Sequence, residues 1–151
     1  MKDLHLIVVG KLNDKNIAEL ESDYLKRLAT SKLSIHEVKA HSENLDKEAK
    51  EVILKIDELS RDENPLIVLL MEKGKQFNSV DFSKWLFNKC ETQKIIFIIG
   101  GASGHGKAVL DSANAIISLS ELTYPHKLAR LLLVEQIYRA HTIKANHPYN
   151  K

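Results

Sequence analysis

The chain has 151 residues, 44% of them apolar and 28% charged, with a formal net charge of +2. These totals are those of one globular domain long enough to bury a core; they exclude a low-complexity chain, and so small a charge neither demands nor forbids a nucleic-acid partner. Cys90 is the only cysteine, the N-terminal MKDLHLIVVG is too short and too polar for a signal peptide, and no apolar run reaches membrane length, so the expectation is a cytoplasmic protein without disulfides.

Leu4–Val9 (LHLIVV) is a short, partly β-branched apolar run that stops at Gly10, the pattern of a buried strand. Asn13 and Asp14 are helix-start residues, and Ile17, Leu20, Tyr24, Leu25 and Leu28 then recur at helical spacing. Leu33–Val38 alternates as a half-exposed, edge-type strand. Ser42 is expected to open a second helix with Leu45, Ala49, Val52, Ile53, Ile56 and Leu59 on one face, broken by Asn64-Pro65. Residues 66–71 (LIVLLM) form a wholly apolar, central strand, followed by the polar loop EKGKQF. Asn78 and Asp81 are a capping pair for an amphipathic helix through Phe82, Trp85 and Leu86 to about Lys89. Ile95–Ile99 is a fourth strand, Lys107–Ser112 a short helix, residues 115–119 a fifth strand, and His126–Lys144 a last helix. This alternation predicts a single α/β domain over residues 1–151, with a mainly parallel five-stranded sheet and helices on both faces. Ligands of such sheets sit beyond the carboxyl ends of the strands, here residues 70–73, 100–104 and 120–126.

Gly101, Gly106 and Lys107 fit the spacing of a phosphate-binding loop, but Ala108 stands where that loop needs a magnesium-ligating hydroxyl, so a nucleotidase is the weakest reading. A tight turn needing small residues is the plainer account; the sharper one is that Gly100 and Gly101 let a ligand approach the backbone. SELTYPH (120–126) reads as a strand-to-helix connector in which Pro125 starts the helix. The last helix is apolar on nearly every side, with Leu128, Leu131, Leu132, Leu133, Val134 and Ile137, which asks for cover from a second subunit. Glu135 and Arg139 are spaced to pair, and Arg139 has the alternative of facing a ligand or RNA. His126, His141 and His147 lack metal-site spacing, Cys90 reads as structural, and no metal is expected.

FIIGGASG (97–104), SLSELTYPHKLAR (118–130), LLVEQIYRA (132–140) and NHPY (146–149), with VVGKLND (8–14) and LLMEKGKQFNSVDF (69–82), resemble the ribosomal RNA large subunit methyltransferase H family of the SPOUT, or α/β-knot, superfamily. The resemblance covers essentially the whole chain. It implies a C-terminal deep trefoil knot, a homodimer, S-adenosylmethionine as methyl donor without metal, and, as acceptor, N3 of a pseudouridine in helix 69 of large-subunit rRNA on the assembled ribosome. It implies donor contacts at Leu70, at Gly100 and Gly101, and at Ser120, Glu121, Leu122, Thr123, Tyr124 and Pro125. On the acceptor side it implies Arg139 and Tyr149, joined by Glu135 and His126. Arg139 would stabilise the anion left when N3 loses its proton. Relatives usually end in Pro-Tyr-His, whereas this chain has Pro148-Tyr149-Asn150. The rival expectation is a knotted ribosome-binding module without activity.

Overall fold

The computed structural model describes residues 1–28 and 33–151. Ten elements alternate along the chain: β1 (Leu4–Val9), α1 (Lys15–Arg27), β2 (Leu33–Val38), α2 (Leu45–Leu59), β3 (Leu66–Gln76), α3 (Ser79–Cys90), β4 (Ile95–Ile99), α4 (Lys107–Ser112), β5 (Ala115–Ser118) and α5 (His126–Lys144). The strands form one sheet in the order β2-β1-β4-β3-β5, and all of their pairings are parallel. Parallel neighbours need helical crossovers, and these cover both faces. Alternation along β1 and β4 sends Leu6, Val8 and Phe97 into one core with Leu86, Leu133 and Ile137, and Ile7, Val9, Ile96 and Ile98 into the other with Val52 and Ile56. The alternating strand Leu33–Val38 lies at the sheet edge, as expected.

Side-chain caps set the helix starts. Asp14 Oδ1 accepts from Ile17 N–H at 3.0 Å, and Asn78 Oδ1 accepts from Asp81 N–H at 2.8 Å. The second helix is capped by Asn44, which accepts from Lys47 N–H at 3.1 Å, and not by Ser42. Ser42 and Glu43 instead take left-handed φ values of 47° and 66° in the turn before it. Pro125 is the cap residue of α5 and precedes its first turn.

The larger correction concerns EKGKQF. β3 does not stop after LIVLLM but runs to Gln76. Leu70 and Lys75 both lie opposite Ile117, so residues 71–74 bulge out of the ladder between them. A Cβ on Gly74 would stand 2.5 Å from the Ile117 carbonyl carbon and 2.8 Å from that of Ile116. Only glycine lets the returning strand lie backbone against backbone on β5. Main-chain pairing holds this polar segment, which is why its side-chain pattern did not announce a strand. β5 in turn ends one residue earlier than expected, at Ser118.

α5 packs between α1 and α3 and buries Leu133, Val134, Ile137 and Ala140. Its Leu128 and Leu132 remain 42% and 38% exposed. Arg130, itself buried, fixes the helix: Nε and Nη2 donate to the two carboxylate oxygens of Glu21 at 2.7 and 2.9 Å, and Nη1 donates to Glu37 at 2.6 Å. Glu37 also accepts from Leu12 N–H. One guanidinium thus ties α5 to α1 and to the end of β2. Cys90 is fully buried in the core. Among the described residues no helix is long and apolar enough to cross a membrane.

Candidate functional site

A cleft opens at the irregularity of β3 after Leu70 and beyond the ends of β4 and β5. It is a concave site, partly open to solvent. Its wall includes Leu70 and Glu72 from β3, Gly100, Gly101, Gly104 and His105 after β4, and Ser120, Leu122, Tyr124 and His126 after β5. Six of the expected donor contacts therefore meet in one place. Glu121, Thr123 and Pro125 belong to the same connector but are exposed outside the wall. The connector is shaped from within, since Leu122 N–H donates to Ser120 Oγ at 2.9 Å and Ser118 Oγ donates to the Ser120 carbonyl at 2.8 Å.

The two glycines do different work. A Cβ on Gly100 would collide with the carbonyl of Gly104, which folds back over it. Its smallness is required by the loop itself. A Cβ on Gly101 would stand 3.3 Å from Val9 Cγ1 and 3.4 Å from Glu48 Oε1. Gly106 starts α4, and a Cβ there would come within 2.6 Å of the Leu45 carbonyl oxygen. It lets α4 press on α2. Lys107 is exposed and donates to Asp111 at 2.7 Å, outside the cleft. The glycine-lysine spacing is packing, and the phosphate-loop reading falls.

His105 was missed by sequence reasoning. Its Nε2–H donates to the Leu70 carbonyl at 3.0 Å, joining the glycine loop to β3 across the cleft. Burial pushes the imidazole below its ordinary pKa, partly opposed by that hydrogen bond and by the charge of Glu72. It is a neutral wall residue near pH 7. The only available signal was its place directly after a strand-end glycine turn.

The acceptor-side candidates divide. His126 lines the cleft. Glu135, Arg139 and Tyr149 form a separate cluster further along α5. Arg139 Nη2 and Nε donate to Glu135 Oε1 at 2.7 and 3.0 Å, and Tyr149 O–H donates to the same oxygen at 2.9 Å. Arg139 lies over the Tyr149 ring at 4.8 Å, and its Nη1 donates to Asn150 Oδ1 at 3.0 Å. The residue that replaces the usual terminal histidine is thus docked on the arginine. The bond to Glu135 holds Arg139 above even the usual guanidinium range. Burial, with hydrogen bonds to Tyr24 and Glu135, pushes the Tyr149 phenol upward, so it is a neutral donor. Tyr138 packs edge-on against Tyr149 with centroids 4.8 Å apart, Tyr24 follows at 5.6 Å from Tyr138, and Arg27 lies about 6 Å from both Tyr24 and Tyr138. Sequence periodicity assigned Tyr24 and Tyr138 simply to apolar helix faces, so this row of rings and guanidiniums was not foreseen. Thirteen residues separate His126 from Arg139 on α5, about 20 Å along a helix axis. One copy of the chain does not bring all four acceptor-side residues to one point.

Among the described residues no group of three or more His, Cys, Asp or Glu side chains is placed to hold a metal. Residues 1–150 match the family model described as "Predicted SPOUT methyltransferase". Three curated relatives, each named ribosomal RNA large subunit methyltransferase H, come from Prochlorococcus marinus (40% identical, covering 97% of this chain and 94% of the relative), Acholeplasma laidlawii (36%, covering 97% of each) and Mycoplasmopsis synoviae (40%, covering 98% and 99%). Among solved structures the chain is similar in fold to the tRNA (m1G37) methyltransferase from Aquifex aeolicus, with a TM-score of 0.58, 14% identity, and coverage of 91% of this chain and 70% of that one.

Proposed function

The chain belongs to the ribosomal RNA large subunit methyltransferase H family of SPOUT methyltransferases, and from that membership we propose that it methylates N3 of a pseudouridine in helix 69 of large-subunit rRNA, on the assembled ribosome in the cytoplasm. The observation that supports this best is the cleft, where Leu70, Gly100, Gly101, Ser120, Leu122 and Tyr124 converge from β3 and from the loops after β4 and β5.

The lining of the cleft suits S-adenosylmethionine in its chemistry. Leu70, Ile99, Leu119 and Leu122 offer apolar cover for an adenine, backbone groups of the two loops offer hydrogen bonds without charge, and Glu72 adds the one carboxylate of the wall. Bound there, S-adenosylmethionine supplies an electrophilic methyl group. The chain's own contribution is alignment, which for an in-line transfer removes much of the barrier. His105 keeps the glycine loop and β3 at a set separation. Gly74 lies backbone against backbone on Ile117, next to the Lys75–Ile117 pair, which gives this wall little freedom.

The acceptor is met by the Arg139–Tyr149 cluster. Arg139 stabilises the N3 anion, and Glu135 holds the guanidinium and the phenol in register. The Arg27, Tyr24 and Tyr138 row extends the same surface with groups on which RNA bases stack. Because cluster and cleft are separated along α5, the working unit is a homodimer in which a second copy presents its Arg139 and Tyr149 to the cleft of the first. Leu122, Leu128 and Leu132, exposed beside the cleft, are the apolar surface it covers. Asn150 has no titratable group, so on this reading it takes no part in proton transfer.

Transfer of labelled methyl from S-adenosylmethionine to ribosomes lacking the modification tests the proposal, with the product nucleotide located by digestion and mass spectrometry. Label on N3 of the pseudouridine is expected, and Arg139→Ala should abolish it while retaining S-adenosylmethionine binding. Cofactor binding without label on any ribosome would refute the enzyme in favour of an inactive ribosome-binding module.

A further inference from the structure

Among the described residues lining the cleft, Glu72 is the only acidic side chain, and there is no lysine or arginine. A second carboxylate lies directly behind the wall. Glu48, in the first turn of α2, is only 5% exposed. Its Oε2 accepts from His41 N–H at 2.9 Å. Its Oε1 is buried and has no hydrogen-bond partner among the described residues. A buried carboxylate oxygen without a donor is costly and calls for a purpose. That oxygen would lie 3.4 Å from a Cβ on Gly101, which is itself a wall residue. The carboxylate thus lies against a residue of the wall without lining the cleft itself. The start of α2 favours negative charge at this position; salt screens the buried Glu48 less than Glu72, which is exposed in a cleft partly open to solvent.

Resting on the donor-site reading above, we propose that Glu48 and Glu72 determine the charge specificity of the cleft: they hold the cationic S-adenosylmethionine in preference to its neutral product, S-adenosylhomocysteine. Transfer breaks the sulfur–methyl bond, its electron pair stays on sulfur, and the sulfonium charge disappears. The attraction that retained the donor vanishes with it, so the spent molecule leaves more readily.

Isothermal titration of both ligands into the whole protein, with Glu48→Gln and Glu72→Gln alongside, tests this. Each substitution should weaken S-adenosylmethionine by about tenfold, the order expected for a unit charge at a few ångströms in a partly screened site, and S-adenosylhomocysteine by less than about threefold. Equal weakening of both ligands, or an unchanged ratio, would overturn the inference and leave Glu48 with a packing role. Should Glu48→Gln fail to fold, the exposed Glu72→Gln decides the matter, together with the unaltered protein's affinity ratio, which must fall as salt rises. If the unaltered protein binds neither ligand, the donor-site reading fails and this inference fails with it.

Discussion

Replacing Arg130 by methionine would remove the guanidinium that joins α5 to α1 and β2 while keeping most of the side-chain volume. Glu21, only 6% exposed and held by two of the three hydrogen bonds that Arg130 donates, would be left as an unpaired buried carboxylate. Breaking one side of such a pair costs about 3–5 kcal/mol. For a domain of this size each kcal/mol lowers the melting temperature by about 2–4 °C, so a fall of roughly 6–20 °C is expected. Thermal and urea unfolding should agree, with the urea midpoint moving at constant slope. The double variant Arg130→Met, Glu21→Met removes the stranded charge and should recover most of the loss. A single variant melting within about 2 °C of the parent would refute the reasoning. A double variant no better than the single one would place the cost in lost packing. Because Arg130 lies one turn beyond His126 of the cleft wall, the single variant should also weaken S-adenosylmethionine binding.

Gly74→Ala forces a methyl group against the Ile117 and Ile116 backbone. Neither strand can give way by a rotamer change, so destabilisation at or above the usual 1–3 kcal/mol for overpacking is expected, with weaker S-adenosylmethionine binding because residues 71 and 72 line the cleft. An alanine variant matching the parent in both melting and titration would disprove the close crossing. His5 and His36, hydrogen-bonded at 2.9 Å across β1 and β2, both have pKa values lowered, first by burial; the charge of His36 lowers that of His5 further, and that of Lys55 lowers that of His36. The folded state therefore binds fewer protons than the unfolded one just below the ordinary histidine pKa. Stability is full above about pH 6.5 and is lost as the pH falls from there toward the lowered folded values. Melting curves from pH 7.5 to 5.5 should fall, and less steeply in His36→Gln; equal slopes would exclude the pair as a source.

Most elements were legible because each apolar run has one period. LHLIVV, LIVLLM and IIFII read as buried strands, and Asp14 and Asn78 marked two helix starts, whereas Ser42 was expected where Asn44 caps the second helix. The position of the cleft was legible for a related reason, since loops after the strands of a parallel sheet are where backbone groups are free. The segment 72–76 was not, because a strand held only by main-chain pairing leaves no side-chain signature. Nor was the role of Gly100 in its loop, which depends on a carbonyl folding back from Gly104.

By itself, then, the sequence determined the α/β class and the element order, which follow from local periodicity and turn chemistry. Tertiary structure alone decided the strand order β2-β1-β4-β3-β5, the crossing of Gly74 over Ile117, the buried bond between Arg130 and Glu21, and the placing of the Glu48 carboxylate behind Gly101. These join residues from 43 to 109 positions apart in the chain, or as many as 53 in the case of Glu48 and Gly101, and local spacing holds no information about which distant backbones and charges will meet once a sheet is assembled.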